Sequence, residues 1–223
     1  MSIAIAIDGP SGAGKSTLAK RLAGEMGYLY VDTGAMFRAV GLYALRAGKD
    51  PADAAAVEAL LPAVTLTLAH VDGAQHIYLN GEDVSEAIRQ EQVGMAASAV
   101  AVHPAVRSFL LGQQRAIAST NNVLMDGRDI GTVVLPDADV KVYLTASAQA
   151  RAQRRCAELE ERGTPEPFEK VLREIEERDW NDTHRDVAPL RQAEDAVLLD
   201  TTELSFQESK TALLHIIRKR TSL

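Results

Sequence analysis

A single cysteine, Cys156, stands among 223 residues, so the chain can close no internal disulfide and build no cysteine-based metal site. Histidine does not take that role, because the five, at 70, 76, 103, 184 and 215, fall at no ligand spacing and predict no metal held by imidazole. Positive charge is also short. With 24 Lys and Arg against 31 Asp and Glu, the net charge is −7, which gives no general attraction to nucleic acid or to an anionic membrane. Any affinity for phosphate must therefore be local. No apolar run approaches the roughly 18 residues of a membrane span, and no basic, then apolar, then small-residue series reads as a secretory leader. Repeats and low-complexity segments are missing as well. The expectation is a cytoplasmic chain with neither nucleic acid nor membrane as partner. Its 46% hydrophobic and 25% charged residues are ordinary for a globular protein, and its length suits one core domain with a small insertion.

What is present is concentrated at the front. Ile3–Ile7 is short, apolar and β-branched, the pattern of a buried parallel strand. Gly9, Pro10, Ser11, Gly12, Ala13, Gly14, Lys15 and Ser16 then satisfy the phosphate-loop pattern G-x-x-x-x-G-K-[ST]. After them Leu18, Leu22 and Met26 recur at i, i+4 and i+8, one face of a helix. Strand, glycine loop and helix N-terminus in this order make an anion site, with backbone N–H groups and the helix dipole aimed at a phosphate. Residues Gly9 to Thr17 are the expected grip on ATP, with Lys15 on the β- and γ-phosphates and the Ser16 hydroxyl on Mg²⁺.

Alternating patterns continue the strand–helix rhythm and predict an α/β fold with a parallel sheet. Tyr28–Val31 reads as a strand and Met36–Ala47 as a helix with Phe37, Val40, Tyr43 and Ala44 on one face. The rhythm breaks near Pro62. Val64–Leu68 and His76–Leu79 alternate like half-buried strands, and Asp72-Gly73 and Asn80-Gly81 are hairpin dipeptides, so residues 62–85 form an antiparallel excursion. Helices are expected over Ala52–Leu61, Ser85–Val102 and Ala105–Ser119, and strands at Val123–Asp126 and Val140–Leu144. Next come a helix over Ala148–Arg162, a proline loop at 164–167, a helix over Phe168–Trp180 and a polar bend over Arg178–Pro189. A last strand, Ala196–Leu199, and a closing amphipathic helix, Ser205–Arg220, complete the chain. That helix is expected to pack on its own core, and the chain to be a monomer.

In an open parallel sheet ligands sit beyond the carboxyl ends of the strands. Asp126 ends an apolar run as a Walker B acid does and is placed to hold Mg²⁺ with Ser16. Arg38, Arg107, Arg128, Arg151, Arg154, Arg155, Arg178 and Arg185 fall at or near element ends, and guanidinium suits both gripping a second phosphate and neutralising a transferring one. A GTPase switch would want a guanine-reading Asn-Lys-x-Asp, which does not occur. From the residues alone, Thr33 and Ser98 also fit simple helix roles, Arg128 and Asp129 could pair with each other, and Trp180 reads as packing.

Taken together, IDGPSGAGKST at 7–17, DTGAMFR at 32–38, LNGEDVSEAIR at 79–89, EQVGMAASAVAVHPAVR at 91–107, MDGRDIGTVVLPDADVKVYL at 125–144, ARAQRR at 150–155 and ERDWNDTHRDVAPL at 177–190 resemble the bacterial cytidylate (CMP/dCMP) kinases of the nucleoside monophosphate kinase group, end to end. The resemblance implies a single kinase domain: a P-loop core of about 1–38, 105–150 and 186–223, an antiparallel monophosphate-binding insert of about 39–104, and a helical lid of about 151–185. It implies ATP with Mg²⁺ as donor and CMP or dCMP as acceptor. By resemblance, Thr33, Ser98, Arg107 and Asp129 would contact cytosine, and Arg38 and Arg128 the acceptor phosphate. Arg178 and Asp182 would lie at the sugar, and Arg185 at the phosphates. Arg151, Arg154 and Arg155 would close over ATP, and Lys15, Arg128, Arg155, Arg178 and Arg185 would carry catalysis. Thr183 stands where some members have Arg, which leaves ribose against deoxyribose open. The rival readings are a kinase for another monophosphate such as UMP or AMP, and an ATP-binding switch without an acceptor.

Overall fold

Residues 4–8 have one polar member, Asp8, at their end, and they fold as β1 (Ala4–Asp8), buried from its second residue onward. A computed structural model describes residues 2–71 and 74–221 of the chain. After the glycine loop come α1 (Lys15–Met26) and β2 (Leu29–Asp32). The chain packs as two compact units, Met1–Leu29 with Asn121–Leu223, and Tyr30–Thr120.

The first unit carries the parallel sheet. Its strands include β6 (Val123–Gly127), β7 (Val140–Thr145) and β8 (Val197–Asp200), and the sheet order is β2-β6-β1-β7-β8. Pairing is parallel between β1 and β6, β1 and β7, and β7 and β8, with Asp8 opposite Gly127 on one side and Tyr143 on the other. Strands buried on both faces explain the unbroken apolar runs. Ile5, Ile7, Leu124, Met125 and Leu144 are fully buried. Helix α1 lies on β6 through Leu18 and Leu22, and α8 (Phe206–Thr221) packs against α1, β7 and β8 through Leu213 and Ile217. Ser205 and Glu208 start α8 with a reciprocal capping box. The remaining pair, α6 (Ala148–Glu161) and α7 (Phe168–His184), closes over Ala152, Val171 and Ile175.

The second unit holds α2 (Thr33–Arg46), α3 (Ala54–Leu60), α4 (Glu91–Val100) and α5 (Pro104–Thr120). It also holds an antiparallel sheet of β3 (Leu66–Val71), β4 (Ala74–Leu79) and β5 (Glu82–Asp83), in that order. The expected excursion is thus an antiparallel sheet, packed on a core that includes Met36, Val40, Val57, Ile77, Leu79 and Leu110. Asn80 and Gly81 both take positive φ, 51° and 86°, the conformation a two-residue hairpin needs. The Asn80 side chain locks the turn by accepting from the Thr65 N–H at 2.7 Å. The other predicted hairpin dipeptide, Asp72-Gly73, lies outside the described residues. No single described helix is long and apolar enough to cross a membrane.

Two element boundaries differ from expectation. Residues 85–90 do not continue a helix to Val102. Ser85 donates its N–H to Asp83 Oδ1 at 2.9 Å and its hydroxyl accepts from Ile77 N–H at 3.0 Å, which ties it back to the antiparallel sheet. Only a 3₁₀ turn over Ala87–Arg89 forms before α4 begins at Glu91. Conversely, the polar stretch from Arg178 is not a bend until Arg185, because α7 runs on to His184. Its carboxylates are taken up by arginines from elsewhere in the unit, and Trp180 stacks on His184 one turn later at 4.6 Å between ring centres. Trp180 is 61% exposed, so it is not a core residue.

At Gly9 the backbone, with φ 150°, passes so close to β7 that an added Cβ would lie 1.9 Å from the Leu144 carbonyl oxygen. Backbone cannot give way as a side chain can. Gly9→Ala is expected to cost about 3 kcal/mol or more through clash and strain, which lowers the melting temperature by roughly 6–12 °C in a chain of this size. Thermal denaturation followed by circular dichroism tests it.

Candidate functional site

The first unit gathers most of the expected chemistry at the carboxyl ends of β1, β6 and β7. Helix α1 starts at Lys15 behind Gly14, which has no side chain to cap it. The N–H groups of its first turn are therefore left for a ligand, and anions favour that position. Lys15 is 5% exposed and folds back so that Nζ donates to the Pro10 carbonyl at 2.7 Å. Burial, with the Arg128 cation beside it, pushes the Lys15 ammonium down to about 7 against the pull of Asp126, Asp182 and Asp8. Negative phosphate oxygens arriving here would relieve that penalty.

The Ser16 hydroxyl donates to Asp126 Oδ2 at 2.7 Å across 110 residues of sequence. A hydroxyl and a carboxylate are hard oxygen donors, the set that holds Mg²⁺ when substrate phosphates supply further ligands. Among the described residues no cluster of three or more His, Cys, Asp or Glu could hold a metal ion. On the other side of β1, Asp8 accepts from the N–H groups of Ile130 and Gly131, both at 2.7 Å. Burial pushes its carboxyl up to about 6 even though both amides and Lys15 oppose the shift.

Beyond β6, Arg128 Nε donates to Asp182 Oδ2 on α7 at 2.7 Å. Burial alone would raise the Asp182 carboxyl, but the Arg128 charge and hydrogen bond, with Arg178 and Arg185, hold it below the usual range. Asp129 is 5% exposed and lies 3.9 Å from the Arg185 guanidinium, whose Nε donates to the Ala188 carbonyl at 2.7 Å. Arg128 thus turns to α7 and Asp129 to Arg185. Arg178 is exposed, one turn before Asp182.

Arg151 has a different setting from the other arginines of α6. It is 4% exposed, and its stem lies against Gly12 of the phosphate loop. Its guanidinium donates to Ser11 O and Ala146 O, both at 2.9 Å, and engages both oxygens of Asp179 on α7. Arg154 donates to the hydroxyl and carbonyl of Thr201, and Arg155 is an exposed partner of Glu158. Pro10 and Ala13 are buried within the loop, whereas Ser16 and Thr17 are exposed.

In the second unit Asp32, not Thr33, caps α2, accepting from Ala35 N–H at 2.9 Å and from Arg38 at 2.7 Å. Thr33 is the first helical residue and is 3% exposed. Arg107 on α5 donates to the Ala101 carbonyl at 3.1 Å and lies over the Phe37 ring at 5.6 Å. Ser98 is exposed on α4 and donates to Gly94 O at 3.3 Å, inside its own helix. Sequence reasoning missed Asp8 and Asp179 as members of the first unit's charge cluster. The one signal available for Asp8 was a carboxylate closing an apolar strand next to the loop.

The family description that matches this arrangement is cytidylate kinase, whose model covers residues 5–219. The chain is 48% identical to the cytidylate kinase of Caldicellulosiruptor bescii over 97% of its own length and 96% of that protein. It is also 48% identical to that of Geobacillus sp. (strain WCH70), over 98% of each. The chain belongs to the cytidylate kinase family. A solved shikimate kinase from Bacteroides thetaiotaomicron superimposes with a TM-score of 0.50 at 14% identity, covering 99% of each chain; that likeness concerns the fold alone, a P-loop kinase sheet flanked by helices.

For this cytidylate kinase family member the Arg151–Asp179 pair is open to test. Asp179→Asn leaves a buried guanidinium without its counter-charge, which is expected to cost about 3 kcal/mol. Because Arg151 also holds the Ser11 carbonyl, ATP affinity should fall several-fold with it. Replacing both partners together, Arg151→Met with Asp179→Leu, should restore most of the stability and none of the ATP affinity. Thermal melts and ATP titration of the single and double variants read the two effects separately.

Proposed function

We propose that the chain transfers the γ-phosphoryl group of ATP to the 5′-phosphate of CMP and dCMP, giving ADP with CDP or dCDP. The reading is carried by the buried Lys15 beside the Ser16–Asp126 contact, in a chain nearly half identical to cytidylate kinases along its whole length. The donor side comprises Gly9, Pro10, Ser11, Gly12, Ala13, Gly14, Lys15, Ser16 and Thr17, whose backbone amides and ammonium would receive the triphosphate. Arg154 and Arg155 would turn onto its phosphates from the lid of about residues 151–185. Arg151 would act on them through the loop it already holds.

The acceptor is itself a phosphate, with a second pKa near 6, so at neutral pH it is an ionised nucleophile and no general base is required. The chemistry left for the protein is alignment and neutralisation of charge spreading over the transferring group. Lys15, Arg128, Arg155, Arg178 and Arg185 are assigned to that neutralisation. Ser16 and Asp126 would hold Mg²⁺, which supplies further positive charge on the phosphate oxygens. Arg38 and Arg128 would grip the acceptor phosphate, while Arg178 and Asp182 lie toward the sugar. In the insert of about residues 39–104 and its flanks, Thr33, Ser98 and Arg107 would face cytosine with Asp129. A carboxylate there accepts from the exocyclic amine that UMP lacks. The net charge of −7 gives no general pull toward nucleic acid or an anionic membrane, so phosphate is to be gripped by the local cations named above, and the chain is proposed to work as a monomer in the cytoplasm.

ADP release measured against a panel of CMP, dCMP, UMP and AMP tests the reading. Release that depends on CMP or dCMP is expected; equal rates on all four would remove base reading, and release without dependence on any acceptor would overturn the assignment. Lys15→Ala should lower kcat by about 100–1000-fold while leaving the melting temperature within a few degrees. Asp129→Ala should harm CMP more than UMP.

A further inference from the structure

Asp8 is a buried carboxylate with no part in the chemistry above, although it sits between two segments that do have one. It ends β1, and the next residue, Gly9, opens the phosphate loop. Its two oxygens are divided between two consecutive amides, Oδ1 on Ile130 N–H and Oδ2 on Gly131 N–H, each at 2.7 Å. Those amides open a single π-helical turn, Ile130–Val134, which receives no capping bond from the Asp129 side chain that precedes it. A carboxylate borrowed from a neighbouring strand supplies the cap instead.

The consequence concerns Arg128 and Asp129. On their amino side Gly127 is fixed in β6, in register with Asp8 itself. On their carboxyl side Ile130 and Gly131 are held by the Asp8 carboxylate. The two functional residues therefore form a short arch with both feet tied to one residue of β1. Gly131 is packed closely, since an added Cβ there would lie 3.2 Å from the Lys141 chain and 3.4 Å from Asp8 Oδ2, so the arch has little room to shift.

We propose that Asp8 is a positioning residue: by bonding Ile130 and Gly131 it sets the Arg128–Asp129 arch against the start of the phosphate loop, and so sets discrimination between cytosine and uracil acceptors. It touches neither substrate. Its effect on base choice runs through Asp129, and in that respect the inference rests on the assignment of Asp129 made above. Asparagine at this position has nearly the same shape but presents an NH₂ group to one of the two amides, which loses one bond and sets two donors face to face.

The test is a kinetic cycle on the full chain with Asp8→Asn, Asp129→Ala and the double variant, each assayed with CMP and UMP at saturating ATP and with ATP varied at saturating CMP. Asp8→Asn should lower the ratio of kcat/KM for CMP over UMP about tenfold, with KM for ATP moving less than KM for CMP. In the double variant the ratio should equal that of Asp129→Ala alone, because an arch without its carboxylate has nothing left to position. A fall in kcat shared equally by both acceptors, or losses that multiply in the double variant, would overturn the proposal. If Asp129→Ala itself leaves the ratio untouched, base reading by Asp129 fails. Amide spectra then judge the arch independently: Asp8→Asn must shift the Ile130, Gly131 and Asp129 N–H resonances of the free protein, and unmoved resonances would overturn the positioning role. Should Asp8→Asn fail to fold, Asp8→Glu keeps the charge but lengthens the tether by one methylene, and the same fall in ratio is expected.

Discussion

Lys15 is buried at the mouth of its own loop, and an ammonium taken out of water is expensive unless opposite charge and hydrogen bonds replace the solvent. Much of the first unit's polar architecture meets that demand. The Pro10 carbonyl accepts from Nζ, and Asp126, Asp182 and Asp8 offset the burial and the neighbouring Arg128 cation. Those carboxylates then need partners of their own. Asp126 takes the Ser16 hydroxyl, Asp182 takes Arg128, and Asp8 takes two backbone amides. A single buried cation thus organises groups drawn from β1, α1, β6 and α7. In the free chain burial and the Arg128 cation weaken the lysine's hold on its proton. Phosphate oxygens would stabilise its charged form, which ties affinity for a triphosphate to the cost of burying the cation.

The arginines divide by burial rather than by position in sequence. Arg151, Arg154 and Arg155 lie within five residues of one another and look equivalent as a string. Arg151 is nonetheless the buried link between the phosphate loop and α7, Arg154 is held by Thr201, and Arg155 lies at the surface beside Glu158. Guanidinium's flat fork explains why one residue can serve Ser11, Ala146 and Asp179 at once, which an ammonium could not do with the same geometry. A helix carrying several arginines can therefore combine a buried foot with cations nearer the surface.

Much of this was legible in the chain because it is local. The phosphate loop, the strand before it and the helix after it show themselves within 26 residues, by periodicity and by the glycine–lysine pattern. The antiparallel excursion announced itself by alternation and by Asn80-Gly81. The misjudged boundaries had non-local causes. Ser85 is tied back to Asp83 and Ile77 in the antiparallel sheet, while residues 178–184 stay helical with Asp179 and Asp182 paired to arginines 28 and 54 residues away. A run of charges reads as a bend when its partners are out of view. In the second unit Thr33 looked like a cap, but Asp32 had the better acceptor and took both Ala35 and Arg38.

Asp8 shows how far such reading extends. A carboxylate at the end of an apolar strand has no local use, and its two donors lie 122 and 123 residues on. Parallel pairing brings them within reach, since β1 and β6 run side by side and end together. The same pairing puts Asp126 where Ser16 can find it. Two acids on adjacent strands thus divide the work at the sheet's edge: one faces the loop's helix and is suited to a metal, the other faces the turn that follows and shapes it. Exchanging their surroundings would exchange their roles, because the two differ less in chemistry than in which N–H or O–H groups the sheet brings to each.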